Sequence, residues 1–164
     1  MSAGSRDSRV VNPYLARPIQ ILLVEDSPSD RAMTLEVFRE ARVVNEMHTA
    51  NDGEAAMEFL RREGRHADAP RPDLILLDLN LPKKDGREVL ADVKADPALL
   101  AIPVIVLTTS SAEADVLAMY KLQAAGYVTK PVGFDAFLAA VRGIEDFWLT
   151  VVRLTPNDRA RRRG

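Results

Sequence analysis

The segment Leu74-Ile75-Leu76-Leu77 is apolar without alternation and stops at Asp78. A strand with one solvated face alternates, so a short unbroken run bounded by loop residues reads as a strand covered on both faces. Ile21-Leu22-Leu23-Val24, closing on Glu25-Asp26, and Val104-Ile105-Val106-Leu107, closing on Thr108, repeat the pattern. Strands of this kind belong to parallel sheets with helices on each side. A carboxylate ending such a strand needs a partner, because burying a charge is costly.

The intervening segments supply helices. Ser27-Pro28-Ser29-Asp30 starts one, with Ser27 as N-cap, Pro28 in the first turn and Asp30 completing a capping-box pattern. Ala32, Met33, Val37, Phe38 and Ala41 give it an apolar stripe. A weak strand is expected near Met47–Ala50, then a helix from Asp52-Gly53-Glu54 with Ala55, Ala56, Phe59 and Leu60 inward. Residues 61–72 carry charge, Gly64, Pro70 and Pro72, and read as a surface loop. The pattern continues with a strand over Leu74–Leu79, a helix over Arg87–Lys94 and a strand over Pro103–Thr108. A helix over Ala112–Leu122, a short strand over Tyr127–Thr129 and a long helix from about Phe134 to Val152 complete it. Five βα units predict a doubly wound parallel α/β sheet, whose ligand site lies beyond the carboxyl ends of the strands. Glu25, Asp26, Asp78, Thr108 and Lys130 all fall on that edge.

Three carboxylates at one edge repel, and a divalent cation relieves the repulsion. The chain has no cysteine, and His48 and His66 lack metal-ligand spacing, so the donors are oxygens and the expected ion is Mg²⁺ or Mn²⁺. A carboxylate can also attack phosphorus to give an aspartyl phosphate, and Asp78, alone at its strand end, is the best-placed nucleophile. Lys130 could pair with one phosphoryl oxygen and the Thr108 hydroxyl could donate to another. Each residue has a simpler role open to it: Asp26 or Ser27 as a helix cap, Lys130 as a solvated lysine, Thr108 bonded to backbone. Five compatible groups at the ends of four strands favour the site.

Charge is uneven. Arg6, Arg9 and Arg17 against Asp7 give residues 1–18 a charge of +2, and five arginines against Asp158 give residues 153–164 a charge of +4. With the whole chain at −2, residues 19–152 carry −8. An acidic body argues against DNA binding. The expected organisation is a flexible arm over 1–18, one domain over 19–152 and a solvated basic tail over 153–164, with no output module after it. With no disulfide, signal segment or membrane span in the sequence, a cytoplasmic location is the default.

Leu23-Val24-Glu25-Asp26, Asp78-Leu79-Asn80-Leu81-Pro82 with Asp85-Gly86, Leu107-Thr108-Thr109-Ser110 and Tyr127-Val128-Thr129-Lys130-Pro131 together resemble the receiver domain of two-component response regulators, over roughly residues 19–145. The resemblance implies a flavodoxin-like fold with strand order 2-1-3-4-5 and phosphorylation of Asp78 by a sensor histidine kinase. It implies that Glu25, Asp26, Asp78 and the Asn80 backbone carbonyl bind the metal. Thr108 and Tyr127 match the switch pair, Lys130 the phosphate-pairing lysine, and its bond to Pro131 is cis in the family. Residues 80–90 and Ile144-Glu145-Asp146-Phe147-Trp148-Leu149 resemble the single-domain regulators that partner bacterial phytochromes. Thr109 is bulkier than the Ala or Gly common there.

Apolar residues continue past the expected domain end, at Phe147, Trp148, Val151, Val152 and Leu154. Either they fold back on their own domain or they mark a partner surface. The expectation is a symmetric homodimer through the 112–122 helix, the last strand and the last helix, with Phe147, Trp148 and Val151 in the interface. A degenerate receiver acting only as a binding module is the alternative. A dehalogenase-type phosphatase is disfavoured because the first strand ends Glu25-Asp26-Ser27-Pro28 rather than DxD, and no GxGxxG or GxxxxGK[ST] marks a nucleotide site.

Overall fold

The computed structural model describes residues 17–108, 118, 121–129 and 134–154, with side chains except at 108, 127, 129 and 147–154. Five parallel strands, β1 (Ile19–Val24), β2 (Asn45–Ala50), β3 (Leu74–Asp78), β4 (Val104–Thr108) and β5 (Gly126–Thr129), form one sheet in the order β2-β1-β3-β4-β5. The helices are α1 (Pro28–Arg39), α2 (Gly53–Arg61), α3 (Gly86–Ala95) and a C-terminal helix (Phe134–Leu154), with a 3-10 turn at Gly64–His66. Of the helix expected over 112–122, only residues 118, 121 and 122 are described.

The unbroken apolar runs are split by the pleat between two cores. Leu22, Val24, Ile75, Leu77, Val104 and Val106 face α2 and α3. Ile21, Leu23, Leu74, Leu76, Ile105 and Leu107 face α1 and the C-terminal helix. Each of these side chains contributes about 1.5–3 kcal/mol on burial, so the sheet is a rigid platform for the loops at its edge. β2 is an edge strand and mostly half-exposed, which explains its weak sequence signal and its start at Asn45, earlier than the pattern indicates.

The N-cap expected for α1 is present, the Ser27 hydroxyl accepting the Asp30 N–H at 3.3 Å, but the Ser27 N–H donates to the Glu25 carboxylate at 3.2 Å in place of the capping-box bond expected from Asp30. The stripe is rotated, however: Ala32 is exposed and Thr34 is buried. Thr34 can be buried because its hydroxyl donates to the Asp30 carbonyl at 2.8 Å. The C-terminal helix packs Phe137, Val141 and Ile144 against the α1 side of the sheet. Glu145 accepts the Val43 N–H at 2.7 Å and Arg42 pairs with Asp146 at 2.7 Å, which pins the helix to the α1–β2 turn.

Residues 1–16 and 155–164 lie outside the described residues. Arg17 is docked: its guanidinium forms a bidentate pair with buried Asp73, at 2.8 and 3.0 Å.

Candidate functional site

β1 and β3 are neighbours, with Val24 in register with Leu77, so their next residues emerge side by side. Carboxylate oxygens of Glu25, Asp26 and Asp78 lie within 4.8 Å of one another. At that spacing two full charges repel by roughly 3 kcal/mol at an effective dielectric near 20, enough to favour a bound cation strongly. Three carboxylates with no nitrogen or sulfur donor fit Mg²⁺ or Mn²⁺, which takes oxygen ligands and keeps water.

Each acid is positioned by its surroundings. Glu25 is buried at the strand edge: its N–H donates to the Ala50 carbonyl at 3.0 Å, and its carboxylate accepts the Ser27 N–H at 3.2 Å. Arg31 braces the same corner from α1, donating to the Glu25 carbonyl at 3.0 Å and to Asn51 at 2.9 Å. Asp26 is exposed to solvent. Asp78 is 6% exposed and one of its oxygens accepts the Asn80 N–H at 3.0 Å, which fixes the carboxylate's orientation.

The β3–α3 loop is rigid for identifiable reasons. Gly86 donates to the Leu79 carbonyl at 3.0 Å, closing the loop at its base. A Cβ on Gly86 would overlap the Asp78 carbonyl oxygen and come within 2.7 Å of Leu79 Cα, so only glycine allows this approach. Asp85 caps α3 in a full capping box with Glu88. At the loop tip Lys83 adopts a left-handed backbone, φ 65°. Its ammonium lies 3.7 Å from Asp52, and Lys84 pairs with Asp92 at 2.7 Å, a hydrogen bond that raises the Lys84 pKa. The Lys84 backbone packs on Gly53 at the start of α2, where a Cβ would overlap it.

Thr108 ends β4 beside Asp78, whose register partner is Leu107, and pairs across to Thr129 on β5. Tyr127 sits on β5 opposite Val106. The side chains of Thr108 and Tyr127, all of Lys130 and its bond to Pro131 lie outside the described residues, as do Thr109 and the side chains of Phe147, Trp148 and Val151. Asn80 is exposed on the loop, where its N–H serves Asp78. Sequence reasoning missed Arg31 and the bracing roles of Gly53 and Lys84. Asp85-Gly86 with Glu88 carried a visible capping signal; the other contacts join segments distant in sequence.

Comparison with known proteins agrees with this geometry. The family profile described as the response regulator receiver domain matches residues 21–142. The chain is 51% identical to "Response regulator Rcp1" of Synechocystis over 137 residues, covering 84% of this chain and 93% of that protein. The Mn²⁺-bound crystal form of Rcp1 superposes with a TM-score of 0.75 at 52% identity, over 80% of this chain and 95% of that one. The phosphorylated cyanobacterial phytochrome response regulator RcpA gives a TM-score of 0.77 at 49% identity, over 82% and 96%. The bacteriophytochrome response regulator RtBRR gives 0.67 at 42% identity, over 76% of each chain. Among the described residues no helix is long and apolar enough to cross a membrane.

Proposed function

The chain belongs to the response regulator receiver family, and from that premise we propose that Asp78 accepts a phosphoryl group from a sensor histidine kinase of the phytochrome type. The observation that carries this reading is the convergence of Glu25, Asp26 and Asp78 at the carboxyl edge of β1 and β3. Likeness to RcpA, a phosphorylated phytochrome response regulator, supports the kinase class.

In the proposed step an Asp78 carboxylate oxygen attacks the phosphorus of a kinase phosphohistidine. The P–O bond forms, the P–N bond breaks, and the departing imidazole nitrogen takes a proton. Glu25, Asp26, Asp78 and the Asn80 carbonyl would hold Mg²⁺ or Mn²⁺, which when bound offsets phosphoryl charge. The Asn80 N–H keeps the Asp78 carboxylate oriented throughout. Lys130 pairs with a phosphoryl oxygen, Thr108 donates to another, and Thr108 and Tyr127 reorient as the switch. A ³²P-labelled phytochrome-type histidine kinase is expected to lose label to this chain and not to Asp78→Asn; transfer to both proteins sinks the assignment.

The homodimer belongs to the same reading. The C-terminal helix runs to Leu154, and Phe147, Trp148 and Val151 on it supply the interface. Trp148→Ala is expected to convert dimer to monomer in light-scattering mass measurements, and an unchanged dimer mass rejects this interface.

A further inference from the structure

We propose that the groove between the C-terminal ends of α2 and α3 is an anion site for a phosphate-bearing small molecule. It lies at the amino edge of the sheet, opposite the carboxylate cluster, because α2 and α3 run back from the carboxyl edge. The groove is open to solvent and offers about 420 Å³, within the usual size of small-molecule sites, and Leu60 and Leu99 supply apolar lining.

Three arginines, the exposed Arg61 and Arg62 and the half-buried Arg71, line it against one acid, Asp96. The Asp96 carboxylate accepts the Ala98 N–H at 2.9 Å and so already has a backbone partner. Arg71 is anchored by donating to the Ala98 carbonyl at 2.7 Å, which uses one nitrogen of its fork. Arg61 and Arg62 form no ion pair or side-chain hydrogen bond among the described residues. Of the other described arginines, Arg17, Arg39, Arg42 and Arg87 are paired with acids, whereas Arg65 and Arg142 show no ion pair among the described residues. Residues 61–71 carry four arginines against Glu63 and Asp68, a basic island in a domain whose body carries −8.

Backbone geometry adds an independent observation. Arg62 caps α2 in the left-handed region, φ 57° and ψ 46°, a position that glycine occupies without strain. Arginine therefore stands in the groove lining at a position where glycine would carry no charge. Guanidinium forks bind phosphate oxygens two at a time, so the occupant matching this lining is a compact phosphate dianion or diphosphate.

The test is a ¹H–¹⁵N titration of the full chain with sodium pyrophosphate, without divalent cations, against NaCl at matched ionic strength. Saturable shifts are expected at Leu60–Arg62, Arg71 and Leu99. Arg61→Gln and Arg62→Gly should each weaken binding roughly tenfold, one charge-assisted hydrogen bond's worth. Arg62→Gly should also melt no lower than the parent, because it relieves the left-handed strain. The proposal is overturned by shifts that match NaCl, by saturable shifts confined to the Glu25–Asp78 edge, by unchanged affinity in both variants, or by a lower melting temperature for Arg62→Gly.

Discussion

Gly86→Ala is expected to lose about 3 kcal/mol of folding stability, the upper end of the overpacking range, and to depress phosphoryl acceptance in whatever fraction remains folded. The added Cβ would meet only backbone: the Asp78 carbonyl, Leu79 Cα at 2.7 Å and the Leu79 carbonyl at 3.0 Å. No side chain can rotate away, so the β3–α3 loop must move. That loop carries the Asn80 N–H that orients Asp78 and is closed at its base by the Gly86–Leu79 hydrogen bond. Stability and acceptance are therefore coupled at this residue. Urea denaturation together with phosphorylation by a small acyl-phosphate donor measures both; a loss below about 1 kcal/mol would mean that the loop yields easily.

Asp73→Ala is expected to cost about 3 kcal/mol with no direct effect on the carboxylate cluster. Asp73 is 1% exposed at the start of β3, on the opposite edge of the sheet from Asp78. Its carboxylate accepts two bonds from Arg17 and the Gln20 N–H at 2.8 Å, while its own N–H donates to the Gln20 carbonyl at 2.7 Å. Truncation strands the Gln20 N–H within the sheet and releases Arg17. Arg17→Ala should cost less, about 1 kcal/mol, because Arg17 is more than one-third exposed and Gln20 still serves the carboxylate. Equal losses in the two variants, read from urea midpoints, would contradict this ordering.

The legible parts of this chain are those whose physics is local. Leu74–Leu77 and Ile21–Val24 are uninterrupted because both sheet faces are covered, and the acids that close them sit at one edge because parallel strands share a direction. The parallel sheet and the three-carboxylate cluster both follow that reading, and the strand order is the one the receiver resemblance implies. The cap at Ser27 was visible because side chain and backbone lie within three residues, and the helix start read at Asp52 coincides with a cap of the same span. The third strand ends at Asp78, one residue earlier than its apolar pattern suggests, because Leu79 turns into the loop while staying buried.

What pattern could not supply is contact between distant segments. Arg17 and Asp73 are 56 residues apart, Val43 and Glu145 are 102 apart, and nothing in either neighbourhood marks the pair. Thr34 defeated the stripe because a threonine can satisfy its hydroxyl within its own helix. His48 and His66 lacked ligand spacing, and each ring lies 5.4 Å from the ring of Phe59. His48 also bonds Gln20 at 2.6 Å, an arrangement set by packing across β1, β2 and α2.

The most direct test of the central claim is an intact-mass spectrum after incubation with Mg²⁺ and a small acyl-phosphate donor, with Asp78→Asn and a chelator-treated sample alongside. One added phosphoryl group is expected on the parent, none on Asp78→Asn and little or none without the metal. An adduct that persists in Asp78→Asn, or no adduct on a parent shown to bind Mg²⁺, would contradict the assignment of Asp78 as phosphoacceptor.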